Sequence, residues 1–337
     1  MLQRDIANSL SGVEPLQRAA DAVKAAFVGP RACFFTFHRA APSSLWDALP
    51  NRNFYLDSDY LERLLAYLLK SGWEIVTVEE ALSRVSAREN GKKFVNFSVD
   101  DCYRDTFELV APLFRKFQVP VTLFLTTGIP DGGMPLWGAG LEEILLRRDR
   151  VLCEGAPIDV ETPEAKREAF SRIHHLWDGP GAAEHYGSFC RANGFDAEEI
   201  HWRHAISWEM LEALRDDPLV EIGGHTVTHA RISALPEDDA LSELAGCRAR
   251  IAERLGLDAR HFAFPYGRAA DAGPRDFELA RKAGYSSAAT TRKGVFRGGD
   301  PFSLPRNTLN GAAKSLTMAQ AHLMGLTGFA ARALGRV

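Results

Sequence analysis

Hydrophobic and polar positions along this chain alternate between two periods, one typical of buried strands and one typical of amphipathic helices. Short apolar runs such as Arg31–Phe37 (RACFFTF) predict buried strands. The clearest helical pattern covers Ser58–Lys70, where leucines recur on one face and Gly72 follows. Because strands and helices alternate with short connections, the pattern predicts a parallel α/β sheet or barrel.

The alternation is interrupted in the middle of the chain. Residues 129–205 contain helical stretches and the turn-prone sequence PDGGMP, which predicts a mostly helical insertion between core elements. We therefore predict an N-terminal helical extension (residues 1–30), a core over residues 31–309 and a C-terminal helical tail (residues 310–337). For the tail, packing on the core is favoured over contact with a membrane surface.

Composition and charge narrow the possible functions. A formal net charge of -4 and a pI near 6.2 argue against a nucleic-acid-binding protein, which needs a concentrated basic face. The N-terminus predicts no secretory signal, and no stretch approaches the ~20 apolar residues that span a bilayer. The five cysteines are widely spaced without a CxxC, so neither a disulfide framework nor a cysteine-rich zinc knuckle is expected. The cytoplasm is the default location.

The most informative stretch is KKFVNFSVDDCYRD, residues 92–105. An apolar, β-prone run over residues 94–99 ends in two adjacent carboxylates, Asp100 and Asp101. An unpaired charge out of water is costly, but the carboxyl end of a parallel strand opens onto the ligand-binding face of α/β proteins. Asp100 and Asp101 are therefore site candidates, with a turn or a helix cap as the competing interpretation.

A second strand end carries two histidines. In VEIGGHTVTH, His225 and His229 follow a buried strand and two glycines. Four residues apart on one helical turn, two imidazoles can face a single ion, although ordinary core or surface histidines are the alternative. With Asp101 they supply two nitrogens and one oxygen. That set suits a catalytic divalent ion, zinc in particular, with a position left open for water.

A third strand end carries FAFPYG, residues 262–267. Pro265 fixes the backbone and Gly267 permits a close approach, so a backbone amide here can be aimed at a ligand. Taken alone, this sequence predicts only a turn.

In this order, FSVDD, HTVTH and FAFPYG resemble the first three motifs of the polysaccharide deacetylase family, the nodulation-type chitooligosaccharide deacetylases of carbohydrate esterase family four. The resemblance covers roughly residues 31–309 apart from the insertion. It implies a distorted seven-stranded (β/α) barrel and an enzyme that removes acetyl groups from N-acetylated sugars.

The resemblance also implies roles for individual residues. By the family's pattern Asp100 is the general base, and Asp101 joins His225 and His229 as a metal ligand. The backbone amide of Tyr266 helps to hold the oxyanion. Such a site suits amide hydrolysis, because a bound dication activates water and polarises the carbonyl.

The sequence departs from the family's pattern in three places. Asp101 and His225 are 124 residues apart because of the insertion, which either rims the site or merely covers it. The late motif that usually provides a histidine as general acid reads Leu304-Pro305-Arg306, and no Asp-Trp pair follows Gly284.

An early strand offers a replacement for the missing acid. Some family members carry a strand that ends in Tyr-His, and Phe37-His38-Arg39 is similar. We therefore predict that His38 protonates the leaving amine, with a structural cap as the alternative. Arg306 is predicted to pair with Asp100 and keep it ionised.

Together these features predict a metal-dependent hydrolase that removes an N-acetyl or other N-acyl group from a carbohydrate, with Zn²⁺ as the expected ion. A cytoplasmic location favours an intermediate of glycan assembly as the substrate. The alternatives are an inactive carbohydrate-binding module on the same scaffold and a hydrolase of a non-sugar amide or formyl group. Pro265 and Trp137, in the PLWGAG turn, are the predicted substrate contacts, and buried packing is the competing role for Trp137. The oligomeric state is left open.

Overall fold

A sheet of parallel strands forms the centre of the protein. The computed structural model describes residues 31–88, 92–177, 179, 181–313 and 315–333. The predicted N-terminal extension, residues 1–30, lies outside these described residues. The strands, in chain order, are β1 (Arg31–Phe37), β2 (Arg39–Ala41), β3 (Tyr55–Asp57), β4 (Glu74–Ile75), β5 (Lys93–Asp101), β6 (Val121–Leu125), β7 (Arg150–Cys153), β8 (Ala156–Asp159), β9 (Val220–Gly224), β10 (His261–Ala263), β11 (Ser287–Ala289) and β12 (Asn307–Thr308).

Helices follow most of the strands of this sheet. The α-helices are α1 (Ser58–Lys70), α2 (Val78–Ser86), α3 (Ala111–Phe117), α4 (Trp137–Arg147), α5 (Pro163–Leu176), α6 (Ala182–Ala192), α7 (Ala197–His204), α8 (Trp208–Arg215), α9 (Glu237–Leu255), α10 (Pro274–Lys282), α11 (Leu316–Leu323) and α12 (Leu326–Ala333). A π-helical turn, Thr106–Val110, precedes α3, and short 3₁₀ turns cover Ser43–Leu45, Arg52–Phe54, Ile232–Ala234 and Pro301–Ser303.

Seven strands follow one another across the sheet in the order β11-β10-β9-β6-β5-β1-β12, and all of their pairings are parallel. The eighth strand, β4, pairs with the first half of β5, whereas β6 pairs with the second half. An isolated parallel bridge between Ala289 and Leu304 links β11 to the chain just before β12. This arrangement confirms the predicted distorted (β/α) barrel.

Both faces of the central strands are buried, which explains their nearly continuous apolar sequences. On β5, Val95, Phe97 and Val99 belong to the same hydrophobic cluster as the leucines of α1. Phe94 belongs to a separate cluster, inside the barrel, with residues of β1, β6, β10 and β11. Because side chains alternate along a strand, Asp100 shares the face of Phe94 and points towards the barrel interior.

The chain between β6 and β9 forms a second hydrophobic cluster of its own. Helices α4 to α7 contribute most of it, as the sequence predicts for residues 129–205. A two-stranded antiparallel hairpin, β7 and β8, is an addition that the sequence analysis does not predict. Its turn residues Glu154 and Gly155 have φ angles of 51° and 80°, which is typical of a tight hairpin.

The C-terminal helices α11 and α12 lie beside the barrel. Ala319 and Leu323 of α11 pack into the same cluster as β1 and α1. Within the described part of the chain, no helix is both long enough and apolar enough to cross a bilayer.

Candidate active site

The candidate site lies where β5, β9 and β10 end, in a cavity of about 480 Å³. Of the residues predicted from the sequence, those that line this cavity are His38, Asp100, Asp101, Trp137, His225, His229 and Tyr266. Arg306 is buried and contacts Asp100, and Pro265 is buried next to Tyr266. The structure therefore brings together side chains from six separate regions of the sequence.

Asp101, His225 and His229 form a group whose ligand atoms all lie within 4.8 Å of one another. The Asp101 Oδ1 atom is 3.6 Å from His225 Nε2 and 3.4 Å from His229 Nε2. The His225 Nδ1–H donates to the carbonyl of Ala263 at 2.7 Å, since a carbonyl can only accept. This bond turns the Nε2 lone pair of His225 towards the group, as in many metal-binding histidines.

These three residues fit a divalent ion. Asp101 Oδ1 is buried and has no hydrogen-bond partner among the described residues, and an unpaired buried carboxylate oxygen is unfavourable unless a cation meets it. Burial is the main cause that lowers the pKa of His225 to about 4, so its imidazole is neutral near neutral pH. Neutral imidazole is the form that binds metals.

The backbone that presents these ligands differs from the prediction. His225 and His229 do not lie on a helical turn, because residues 225–230 form an irregular loop in which Thr226 and His229 have φ angles of 67° and 58°. Eight described non-glycine residues have positive φ, and five of them belong to this region: Asp101, Cys102, Thr226, His229 and Tyr266. Such conformations cost about 1–3 kcal/mol each and cluster at functional sites.

The carboxylate of Asp100 is held by Arg306. Two nearly parallel bonds join Arg306 Nη1 to Asp100 Oδ1 at 2.6 Å and Nη2 to Oδ2 at 2.8 Å. The guanidinium also donates to the hydroxyls of Thr36 and Ser98 and to the carbonyl of Thr290, so it is fixed on several sides. Burial alone would raise the pKa of Asp100, but the Arg306 charge lowers it well below its ordinary value. Asp100 is therefore ionised.

His38, before the first motif, and Tyr266, in the third motif, both line the cavity. His38 is half-buried, and its ring centroid is 4.7 Å from that of Phe54. The Tyr266 ring packs 5.1 Å from His229, with the Arg231 guanidinium 4.5 Å from its centroid. Behind it, a Cβ at Gly267 would lie 2.8 Å from the Thr291 nitrogen, which explains why glycine is needed there.

Trp137 does not lie in a turn as predicted but is the first residue of α4. Its ring is half-buried and packs against His174 at 4.7 Å and Trp177 at 6.2 Å between centroids. The same ring lines the cavity, so the two roles considered from the sequence, packing and an accessible face, occur together.

The comparisons with known proteins agree with this geometry. The polysaccharide deacetylase family model matches residues 87–288, more than half of the chain. The chain belongs to the polysaccharide deacetylase family. Membership confirms the resemblance seen in the motifs and makes the protein a hydrolase that de-N-acetylates carbohydrates. A search of curated proteins finds no match.

Solved structures of deacetylases share the fold. The Streptococcus pyogenes deacetylase PplD, in complex with acetate, is 14% identical with a TM-score of 0.57, covering 86% of this chain and 97% of its own. IcaB from Ammonifex degensii is 21% identical with a TM-score of 0.57, covering 87% of this chain and 98% of its own. A de-N-acetylase from Aggregatibacter actinomycetemcomitans is 12% identical with a TM-score of 0.57, covering 86% and 99% respectively.

In this deacetylase the insertion adds a carboxylate that the sequence analysis misses. Glu142 of α4 is buried in the cavity wall, where it accepts hydrogen bonds from the Tyr55 hydroxyl at 2.5 Å and the Asn51 amide at 2.8 Å. Burial raises the pKa of Glu142. Glu142 belongs to the stretch LEEILLRR, and acids in such a helical stretch usually lie on its exposed face. The one sequence signal for a buried carboxylate here is that Glu142 and Glu143 stand side by side within an apolar run.

Arg39 completes the same wall. Its guanidinium lies 4.7 Å from the ring centroids of both Tyr55 and Tyr103, and its Nε donates to Asp105 Oδ1 at 3.0 Å. The residue follows His38 directly, so this arrangement fixes the backbone beside the predicted acid. In the sequence, Arg39 stands out only as part of the strand ending Phe37-His38-Arg39.

Proposed function

We propose that this deacetylase is a metal-dependent enzyme that removes an N-acetyl group from a carbohydrate, with Asp101, His225 and His229 as ligands of a divalent ion. Zn²⁺ is the expected ion because two imidazoles and one carboxylate leave a position open for reaction. The single observation that carries the proposal is the buried, unpartnered Oδ1 of Asp101 between two histidine nitrogens. When bound, such an ion acts as a Lewis acid on a carbonyl oxygen and on water.

Two side chains of this protein, Asp100 and His38, are proposed to transfer the protons. Asp100, ionised and held in place by Arg306, accepts the proton of the attacking water. Its low pKa makes it a weak base, so it works through position more than basicity. We propose His38 as the acid that gives a proton to the leaving amine, and the backbone N–H of Tyr266 as a donor to the developing oxyanion.

We further propose that the substrate is a glycan-assembly intermediate and not a finished wall polymer. The support is the volume of the cavity, which is that of a typical small-molecule site. Helix α4 of the insertion closes one side of it with Trp137 and Glu142, which leaves space for a short saccharide. Trp137 is the proposed sugar contact, whereas Pro265, also predicted as a contact, is buried and is not among the residues that line the cavity.

The test of this function is acetate release from N-acetylated saccharides and sugar nucleotides by the zinc-loaded protein. Asp100→Asn is expected to reduce kcat about 10²- to 10⁴-fold, the usual range for a lost general base, with zinc content unchanged. Asp101→Ala is expected to lose bound zinc, measured by elemental analysis of the purified protein. The control is Asp238→Asn on the exposed surface of α9. Wild-type protein that takes up no zinc, or full activity in Asp100→Asn, would contradict the proposal.

The acid has its own test. We expect His38→Ala to lower kcat with zinc content unchanged, and to lower it least for substrates whose amine needs no protonation to leave. Unchanged turnover with zinc bound would assign His38 a purely structural role.

A further inference from the structure

A second concave surface, the basic groove, adjoins the active-site cavity. It has a volume of about 810 Å³ and lies between the loops that follow β10 and β11 and the C-terminal helices α11 and α12. Arg268, Thr291 and Thr308 line both the groove and the active-site cavity. The two spaces therefore adjoin along these residues, so a ligand long enough to pass over them can reach both.

The groove carries positive charge. Arg268, Arg292 and Lys293 line it, and no acidic residue of the described chain is among its lining residues. Lys293 is exposed and makes no ion pair with a described residue, and the Nε of Arg292 is buried without a hydrogen-bond partner in the described part of the chain. Arg268 donates its Nε to Asp271, which Arg231 also contacts, so two guanidiniums share one carboxylate.

Because a single carboxylate, Asp271, only partly compensates these cations, the groove suits an anionic ligand. Arginine and lysine together are the side chains that recognise phosphate, through the guanidinium fork and the ammonium charge respectively. The hydroxyl of Thr291 donates to the Tyr266 carbonyl, so the loop that carries the proposed oxyanion donor also borders the groove. A phosphate bound here would lie next to the sugar site.

The opposite wall of the groove, formed by α11 and α12, combines exposed apolar residues with the polar side chains of His322 and Thr327. Met318 of α11 lines it and is 50% exposed. On α12, Ala330 and Ala331 line it, and the neighbouring Phe329 is 69% exposed, the largest fraction among the large hydrophobic side chains described. Exposed apolar surface beside a charged groove is typical of a binding site for an amphipathic ligand.

We propose that the basic groove binds the phosphate of a lipid-linked sugar, with the sugar in the active-site cavity and the apolar chain along α11 and α12. The identity of the sugar rests on the proposed function, which this inference extends. Inorganic phosphate and nucleoside diphosphates carry the same charged group as a lipid phosphate. The apolar wall next to the cations favours the lipid.

Binding to the full-length, zinc-loaded protein tests the groove without any hydrolysis. Calorimetry compares farnesyl monophosphate with farnesol, inorganic phosphate and uridine diphosphate. We expect farnesyl monophosphate to bind at least tenfold more tightly than each of the other three. Equal or tighter binding of uridine diphosphate would favour a nucleotide site and overturn the lipid assignment, as would equal binding of farnesol.

Two charge reversals locate the binding. Lys293→Glu is expected to weaken farnesyl monophosphate binding at least tenfold. Lys70 is also exposed, at the end of α1, and Lys70→Glu is expected to leave binding unchanged. Because both lysines are exposed, both variants are expected to fold, which a melting curve checks. No effect of Lys293→Glu would overturn the proposed groove.

The apolar wall has a separate variant. Met318→Ser changes an exposed apolar residue that lines the groove. It is expected to weaken binding of farnesyl monophosphate at least threefold and to leave binding of inorganic phosphate unchanged. Equal affinity of this variant and wild type for farnesyl monophosphate would show that the apolar chain of the lipid does not contact this wall. Acetate release without lipid-phosphate binding defeats only the groove, whereas lipid-phosphate binding without acetate release from any saccharide defeats only the proposed function.

Discussion

At the scale of single residues, the pair formed by Asp100 and Arg306 is the most consequential contact in the barrel. Both side chains are almost fully buried and joined by two hydrogen bonds. A buried pair gives little net stability, but removing one partner leaves an uncompensated charge. The arginine therefore determines whether Asp100 can stay ionised at the base of the cavity.

Replacing Arg306 by methionine tests this dependence. Burial then acts on Asp100 without the opposing cation, so we expect the pKa of this carboxyl to rise and the acid limb of kcat/KM to move to higher pH. The free energy of unfolding is expected to fall by about 3–5 kcal/mol. A pH–rate profile measures the shift of the acid limb, and urea unfolding measures the loss of stability.

The control is Arg281→Met, which removes two ion pairs at the surface, one with Glu278 and one with Asp300. Exposed pairs contribute about 0–1 kcal/mol, so this variant should lose little stability and keep the pH profile. An Arg306→Met enzyme with an unshifted acid limb would show that Asp100 does not set that limb.

How far the sequence predicts the site differs from residue to residue. The proximity of Asp101, His225 and His229 follows from motifs at strand ends, because parallel strands bring their carboxyl ends together. The Asp100–Arg306 contact was predicted from the family's late motif, since Arg306 lies just before β12. Glu142 was missed, since its contacts with Tyr55 and Asn51 depend on how α4 folds over the loop before β3. No local pattern in the sequence encodes that packing.

At the scale of secondary-structure elements, the insertion depends on the close packing of α4 against α6. Gly140 of α4 faces the ring of Tyr186, and a Cβ at position 140 would overlap the Tyr186 hydroxyl and ring. Tyr186 is only 1% exposed, so its ring has no space into which to move. A glycine within this helix is therefore required by packing.

Two glycine substitutions in α4 separate packing from helix propensity. Gly140→Ala is expected to destabilise the protein by about 1–3 kcal/mol, the usual effect of overpacking, in spite of the better helix former. Gly138→Ala meets nothing within 4 Å and is expected to be neutral or stabilising by up to about 1 kcal/mol. Urea unfolding measures both, and equal stability of the two variants would contradict the packing argument.

Elements with strong periodicity were predicted with their observed bounds, among them β1 and α1. Shorter elements were not. For example, a helical turn was predicted to carry His225 and His229, whereas the structure has an irregular loop there. Left-handed residues such as Thr226 and His229 are held by tertiary contacts, which local sequence patterns do not reveal.

At the scale of the whole molecule, half-buried His204 and buried His322 make stability depend on pH. Burial and then Arg39 lower the pKa of His204 to about 4, and burial and then Lys293 lower that of His322 to about 4. Each imidazole is neutral in the fold but takes up a proton in the unfolded chain below about pH 6.5. Because the unfolded state then binds more protons, stability falls as the pH drops from about 6.5 towards 4.

A single variant isolates one of these contributions. In the window between about pH 4 and 6.5, His322→Gln is expected to reduce the slope of unfolding free energy against pH by up to about 1.4 kcal/mol per pH unit. The matched change His175→Gln affects an exposed side chain and is expected to leave the slope unchanged. Urea unfolding at several pH values gives the slopes, and identical slopes for wild type and His322→Gln would exclude this histidine as the cause.

The order of strands in the sheet has an evolutionary consequence. Asp101 and His225 are 124 residues apart in the chain, yet only β6 separates β5 from β9. Residues near both ends of the intervening segment are tied to the barrel, through the Tyr103–Ala205 bridge and the bond from the Gly128 amide to the Val227 carbonyl. A different segment anchored at the same two points could be exchanged for this one while the ligand trio stayed in register. Exchange of the segment between β6 and β9 can thus change the substrate while the active site at the strand ends is kept.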